Sequence, residues 1–166
     1  MVTLALAKEH LEYDGSDRDA LIQQYIDAAQ AYVEGYTSKG LSVAARTQSF
    51  DSFQTPLVLD VLPVASVTSV AYLDSDGASQ AVTGPRLVAG EVYPALNESW
   101  PAVGAPAGIL VTYQAGLASV PADLVSAQLL LIGHYFSSRE AASERPAQEI
   151  ALAVEALCRP HRALRL

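Results

Sequence analysis

The chain has one cysteine, Cys158, in 166 residues. A lone thiol excludes an intramolecular disulfide and a cysteine-based zinc cluster, and it fits a reducing compartment or a particle assembled in one. Long apolar runs are also missing. The strongest, Leu129 to Gly133 within "LVSAQLLLIGHYF", is far short of the roughly 20 residues that cross a bilayer. At the start, "MVTLALAKEHLEY" lacks a basic opening, and Lys8, Glu9 and His10 interrupt its apolar stretch, so no export signal is read there. A soluble chain with no membrane partner is expected. Internal repeats and low-complexity tracts are absent too.

Basic residues are scarce. Ten Lys and Arg stand against eighteen acids, for a net charge of −8. Tight nucleic-acid binding needs clustered cations to neutralise phosphates, and an acidic body argues against it. The charge is uneven. Glu9, Glu12, Asp14, Asp17, Asp19, Asp27 and Glu34 crowd the first 34 residues against Lys8 and Arg18, whereas the last eight, "RPHRALRL", carry Arg159, Arg162 and Arg165 and no acid. Arginines in such a tail suit an acidic protein groove.

Catalytic signatures are missing as well. No HExxH or GxSxG occurs, and in "EGYTSKGL" the lysine precedes the glycine, which breaks P-loop spacing. That stretch reads as a helix C-cap followed by a loop. His10, His134 and His161 fall on three separate elements. His134, beside Tyr135, could serve as a general base only if a carboxylate oriented it; a packed histidine bonded to backbone or to a neighbouring subunit is the preferred reading. Cys158 reads as a small buried hydrophobe. No catalytic residue, metal site or cofactor is assigned.

Half of the residues are hydrophobic, enough for a core without covalent staples. The patterning predicts an α+β fold in a single domain, residues 1–166, with about four helices near 4–11, 17–37, 121–139 and 146–158. A small antiparallel sheet is inserted at about 42–116, and a tail covers 159–166. The first helix begins after Thr3. Ser16 is read as the N-cap of the second, with Asp17 and Asp19 near its positive end. That helix carries a stripe of Leu21, Ile22, Tyr25, Ile26, Ala29, Tyr32, Val33 and Tyr36, with Gly35 and Gly40 bracketing its end. In the insertion, "RTQSFDSF", "PLVLDV", "VTSVAYL", "GPRLVAG" and "GILVTYQ" are strand-like. "YPALNESWPAVGAPAG" reads as a loop anchored by Trp100. The third helix is apolar at nearly every position from Leu124 to Phe136, which predicts burial on all sides and a subunit interface as well as a core. The last helix shows Ile150, Ala153, Val154 and Leu157 at helical spacing and is stopped by Pro160.

Asp74-Ser75-Asp76-Gly77 could open a calcium loop or turn a hairpin. An EF-hand requires a glutamate at its twelfth position and helical flanks; here the twelfth residue is Pro85 and the flanks are strand-like. Asp-Gly between "VTSVAYL" and "SQAV" is the hairpin signal, since glycine accepts positive φ at low cost. An exposed hairpin tip with Asp74 and Asp76 is expected.

Three stretches in order give the chain a specific likeness. They are "DALIQQYIDAAQAYVEGYTSKGL", "LVLDVLPVASVTSVAYLDSDG" and "VTYQAGLASVPADLVSAQLLLIGHYFSSRE", followed by a last helix rich in Ala, Val and Leu. Over nearly its whole length the chain resembles the head–tail connector (adaptor) family of tailed bacteriophages, prophages and gene-transfer particles. The resemblance implies a non-enzymatic virion protein of the neck, assembled in the host cytoplasm. It implies a homo-oligomeric ring of twelve subunits docked under the portal protein, extending the DNA channel and receiving a stopper or tail-completion protein. DNA would pass without specific binding. Residues are assigned to these roles as expectations. Arg159, Arg162, Leu164, Arg165 and Leu166 would bind the portal. Leu124, Leu130, Leu131, His134, Tyr135 and Arg139 would form the core and ring helix. Asp14, Asp17 and Asp19 would face the channel, where like charge repels phosphates. The alternatives are another head- or tail-completion protein of the neck, or a small cytosolic enzyme using His134 with Asp123 or Glu140.

Overall fold

The computed structural model describes residues 1–104, 106, 108–138 and 147–163. The chain divides into a helical unit, Met1–Leu41 with Ser119–Leu166, and a β unit, Ser42–Ala118.

In the helical unit, helix α1 spans Leu4–His10. Its start follows from Thr3, whose hydroxyl accepts the Leu6 amide at 3.2 Å, as an N-cap should. Helix α2 spans Asp19–Thr37 and begins later than Ser16 predicts. The N-cap is Arg18, with no side-chain cap bond. Local side chains explain the shift. The Tyr13 hydroxyl donates to Asp17, and the Arg18 guanidinium lies 5.6 Å from the Tyr13 ring and 5.7 Å from that of Phe136. Those contacts commit 16–18 to a turn. Asp19 then opens the helix, where a carboxylate suits the positive end, and pairs with Lys8 of α1 at 2.7 Å. At the other end Ser38, at φ 55°, takes the left-handed cap conformation, so the helix ends between Gly35 and Gly40.

The α2 stripe is narrower than its apolar pattern. Ile22, Ile26, Ala29, Val33 and Thr37 are buried, whereas Tyr32 is 37% exposed. Thr37 satisfies its hydroxyl on the Val33 carbonyl at 2.7 Å. Helix α3 spans Ala122–Ser138 and helix α4 Ala147–Cys158. In α3 the buried residues are Leu124, Ala127, Gln128, Leu131 and Ile132, and Leu130 is 38% exposed. The helix is therefore not buried all round within one subunit. Its apolar run exceeds what α1, α2 and α4 cover. Among the described side chains of α4, Val154 and Cys158 turn inward and Ala153 faces out, while the side chain of Ile150 lies outside those described. Four residues separate the two inward positions, one turn of helix.

Among its described residues the β unit has seven strands: β1 Ala44–Phe50, β2 Leu57–Val58, β3 Val64–Leu73, β4 Ser79–Ala81, β5 Arg86–Val88, β6 Glu91–Tyr93 and β7 Ile109–Ala115. They form two antiparallel sheets, ordered β1-β7-β3-β4 and β2-β6-β5. Strand β7 alternates buried and open along its length, the period-2 signature of a sheet with one face on a core. Ile109, Val111, Tyr113 and Ala115 point inward and meet Leu57, Leu59, Val70 and Val92. Tyr113 also ties β7 to β1 and to the segment after β2, and Gln48 joins the two sheets. Its hydroxyl lies 3.4 Å from both Gln48 Oε1 and the Val61 amide, while Gln48 takes the Asp60 amide at 2.7 Å and donates to the Val58 carbonyl at 3.2 Å. Strand β6 was not legible in advance. It is three residues long, and Val92, its buried member, is fixed by pairing with Leu57 and Leu87.

Candidate functional site

The hairpin over Asp74–Gly77 joins β3 to β4. Gly77 sits at φ +76°, a conformation that costs other residues about 1–2 kcal/mol. Asp74 is fully used by its own turn. One carboxylate oxygen accepts the amides of Asp76 at 3.0 Å and Ala78 at 2.9 Å, and the other accepts Gln80 at 2.9 Å. The Gln80 bond, with the two amides, holds the carboxyl below its usual range. Asp76 is exposed, but Asp74 is half-buried. Among the described residues no cluster of three metal-ligating side chains occurs. Behind the turn, the Gly104 amide donates to the Leu73 carbonyl at 2.9 Å. A side chain there would meet the Asp74 carbonyl at 1.9 Å, so only glycine fits.

Trp100 anchors its loop as expected. It stacks on Phe53 with centroids 4.7 Å apart and planes within 6°, and Phe53 meets Tyr72 edge-on at 5.9 Å. A cleft of about 430 Å³ opens beside it, lined by Asp51, Ser52, Phe53, Trp100, Pro101, Val103, Gly104 and Pro106. It holds no nucleophile–base pair. Its walls are aromatic rings and prolines, and its acid stands alone.

The predicted channel acids share one stretch of the helical unit but differ in environment. Asp14 and Asp17 are exposed, and Asp19 is paired with Lys8. The Tyr13 hydroxyl donated to Asp17 holds that carboxyl low and pushes the phenol up in return. Asp17 therefore stays ionised across the ordinary pH range.

Of the predicted ring-helix residues, Leu124 and Leu131 are spent in the subunit's own core, and Leu130 remains on the surface. Tyr135 is half-buried, its ring 5.9 Å from Tyr25 of α2 and 6.1 Å from His134. Arg139 and Glu140 lie outside the described residues. A feature that pattern reading missed is Gln128, fully buried among the helices. It donates to the Leu124 carbonyl at 3.1 Å, and its side-chain oxygen is buried without a hydrogen bond.

The chain end folds back at first. Arg159–His161 form a single 3₁₀ turn after α4. The Ala163 amide then donates to the Thr37 carbonyl at 2.9 Å, filling a free carbonyl at the end of α2. His161 reaches Asp123, in the first turn of α3, at 2.8 Å. That bond draws the Asp123 carboxyl below its usual range. Arg162 lies over the Tyr36 ring at 5.9 Å. Arg159 and Arg162 expose their side chains, while Leu164, Arg165 and Leu166 lie outside the described residues. Cys158, at the base of this turn, is buried, and burial pushes its thiol up. The reading of it as a small hydrophobe stands. No described helix is long and apolar enough to cross a membrane.

These surfaces hold contacts and caps rather than a reaction centre. No curated protein matches the chain. Its sequence matches the model of the head completion protein family over residues 1–152. Among solved structures it is similar to a chain in the neck of an empty gene transfer agent particle computed with C6 symmetry. That match has a TM-score of 0.80 and 27% identity, and covers 99% of this chain and 91% of the other. A chain in the neck of the native particle, computed with C12 symmetry, matches with TM-score 0.78 and 27% identity over 98% and 89%. One in the native gene transfer agent virion gives 0.78 and 27% over 99% and 91%. The chain belongs to the head completion protein family, a structural and non-enzymatic component of the neck of a phage-type virion.

Proposed function

We propose that the protein is the adaptor of the neck: a ring of twelve subunits under the portal that extends the DNA channel and receives the next completion protein. The observation that carries this reading is the whole-chain likeness to a subunit of a neck computed with C12 symmetry. A closed ring requires heterologous contacts, one face of each subunit meeting a different face of its neighbour. Leu130 on α3 supplies exposed apolar surface for such a contact. Asp14 and Asp17, exposed and acidic, suit a channel wall that DNA slides past without adhering. The end of the chain, from Arg159 to Leu166, supplies the cations for the portal. Arg159 and Arg162 engage it through side chains already at the surface, and Leu164, Arg165 and Leu166 add an extended segment.

Electron microscopy of the protein mixed with its portal tests the assignment. A ring stacked coaxially on the portal is the expected image, and absence of association contradicts it. Deleting 164–166 and replacing Arg159 and Arg162 by Ala should leave the fold intact and weaken portal binding by at least tenfold. Unchanged binding removes the tail from the contact. A second neck role, as a stopper or tail-completion protein, would give a ring that binds the adaptor–portal assembly and not the portal alone.

A further inference from the structure

One face of the four-stranded sheet is closed by the β-unit core; the other is open. On the open face, β1 contributes Thr47 and Ser49, opposite Thr112 and Leu110 of β7, and β3 adds Ser69 opposite Thr112. Thr47, Ser49, Ser69 and Leu110 are all exposed, and Leu110 is 47% open. None of the strand positions on this face is Asp, Glu, Lys or Arg. A solvent-facing surface is normally about 25–35% charged, so a dozen positions should carry roughly three or four charges. The β unit does not lack them. It holds Arg46 and Arg86 against Asp51, Asp60, Asp74, Asp76, Glu91 and Glu98, all placed elsewhere.

We infer that this uncharged sheet face is where one copy of the chain meets a second copy. The inference rests on the ring reading given above and names its contact surface. Electrostatics selects the occupant. Nucleic acid needs cations, and the face has none. A lipid surface needs a larger apolar patch than one leucine among hydroxyls. Copies with a net charge of −8 repel wherever their acids approach, so a neighbour docking by a different face, as ring closure requires, comes closest where this face sets no charge against its acids. Serine and threonine also lose little side-chain freedom when covered. The size of the face sets the strength of the contact. Four strands of about seven residues span roughly 400 Å², about half of the ~800 Å² each partner gives to a standard interface. The face is therefore the centre of a contact that forms when subunits are gathered in a ring, not of a tight dimer in free solution.

The test uses the full chain assembled into particles. Thr112→Glu or Thr47→Glu puts an acid on the face and should lower incorporation at least tenfold, with thermal unfolding of the isolated subunit unchanged. The Thr112→Cys variant should react with maleimide in the free subunit and be protected in the particle; carrying a thiol-attached photo-crosslinker, it should cross-link to a second copy. Normal incorporation of both acidic variants overturns the inference, as does an introduced thiol that stays reactive in the particle. Cross-linking of the Thr112→Cys variant to a different protein also overturns it and leaves the ring reading standing. A particle containing single, unassociated copies overturns both.

Discussion

The helical and β units solve the problem of surface charge in opposite ways. The helical unit carries twelve of the chain's eighteen acids and eight of its ten bases, and many of its contacts are ionic or capping: Lys8 with Asp19, His161 with Asp123, Arg162 over Tyr36. The β unit keeps its charges in turns, on its second sheet and, at Arg46, on the core side of β1, and leaves the open face of the first sheet neutral. A helix exposes side chains around its whole circumference and must solvate the outer ones. A sheet separates its two faces by parity alone, so one face can be kept free of charge while the other builds the core. Under the proposed ring, the difference would leave repulsion to the helices and close approach to the sheet.

The largest expected way to break this comparison lies in the two cores. Tyr113→Ala should cost about 3–5 kcal/mol, since it removes a fully buried ring and the hydroxyl held between Gln48 and Val61. Ile26→Ala in α2 should cost about 2–4 kcal/mol. Urea midpoints at constant slope measure both. A loss below about 1 kcal/mol for Tyr113→Ala would remove it as the centre of the β unit. A smaller effect is expected at the hairpin. Gly77→Ala should cost about 1 kcal/mol, because the space around Gly77 is open and only the positive φ opposes a side chain. A change near zero would mean that the turn adopts another conformation.

The smallest effect concerns the folded-back chain end. Asp123 has its carboxyl lowered in the folded state, so its contribution is present above the ordinary carboxylate range of about 3.9 and is lost as pH falls through the lowered value. Acidification below about pH 4 should therefore loosen the Ala163–Thr37 bond, seen as a shift of the Ala163 amide resonance. Asp123→Asn should reproduce part of that shift at neutral pH. A resonance indifferent to both would show that the chain end is held without Asp123.

Much of this architecture was legible in the sequence. The α2 stripe announces its helix because apolar residues recur every three to four positions. Asp74-Ser75-Asp76-Gly77 announces a turn because its chemistry is local: one carboxylate within reach of two following amides, and a glycine where φ must be positive. The Thr3 cap is local in the same sense. What escaped depends on distant partners. Ser16 has the right chemistry for a cap, yet Tyr13 and Phe136 organise the turn around Arg18 and Asp17, and the helix starts at Asp19. β6 has one inward residue and exists through Leu57 and Leu87. α3 is apolar at nearly every position, but only the packing decides that Leu124 and Leu131 go inside and Leu130 stays exposed.

By itself, the sequence determined most of the helices and strands, the lack of the HExxH, GxSxG and P-loop motifs and the excess of acid, because those follow from residue type and spacing within a few turns of chain. The tertiary structure alone decided the rest. It brought Ala163 to the end of α2 and His161 to the start of α3, and turned the charge-free side of β1, β3 and β7 to one open face. Strand register and helix docking are set by contacts between residues tens of positions apart, and no local pattern encodes them.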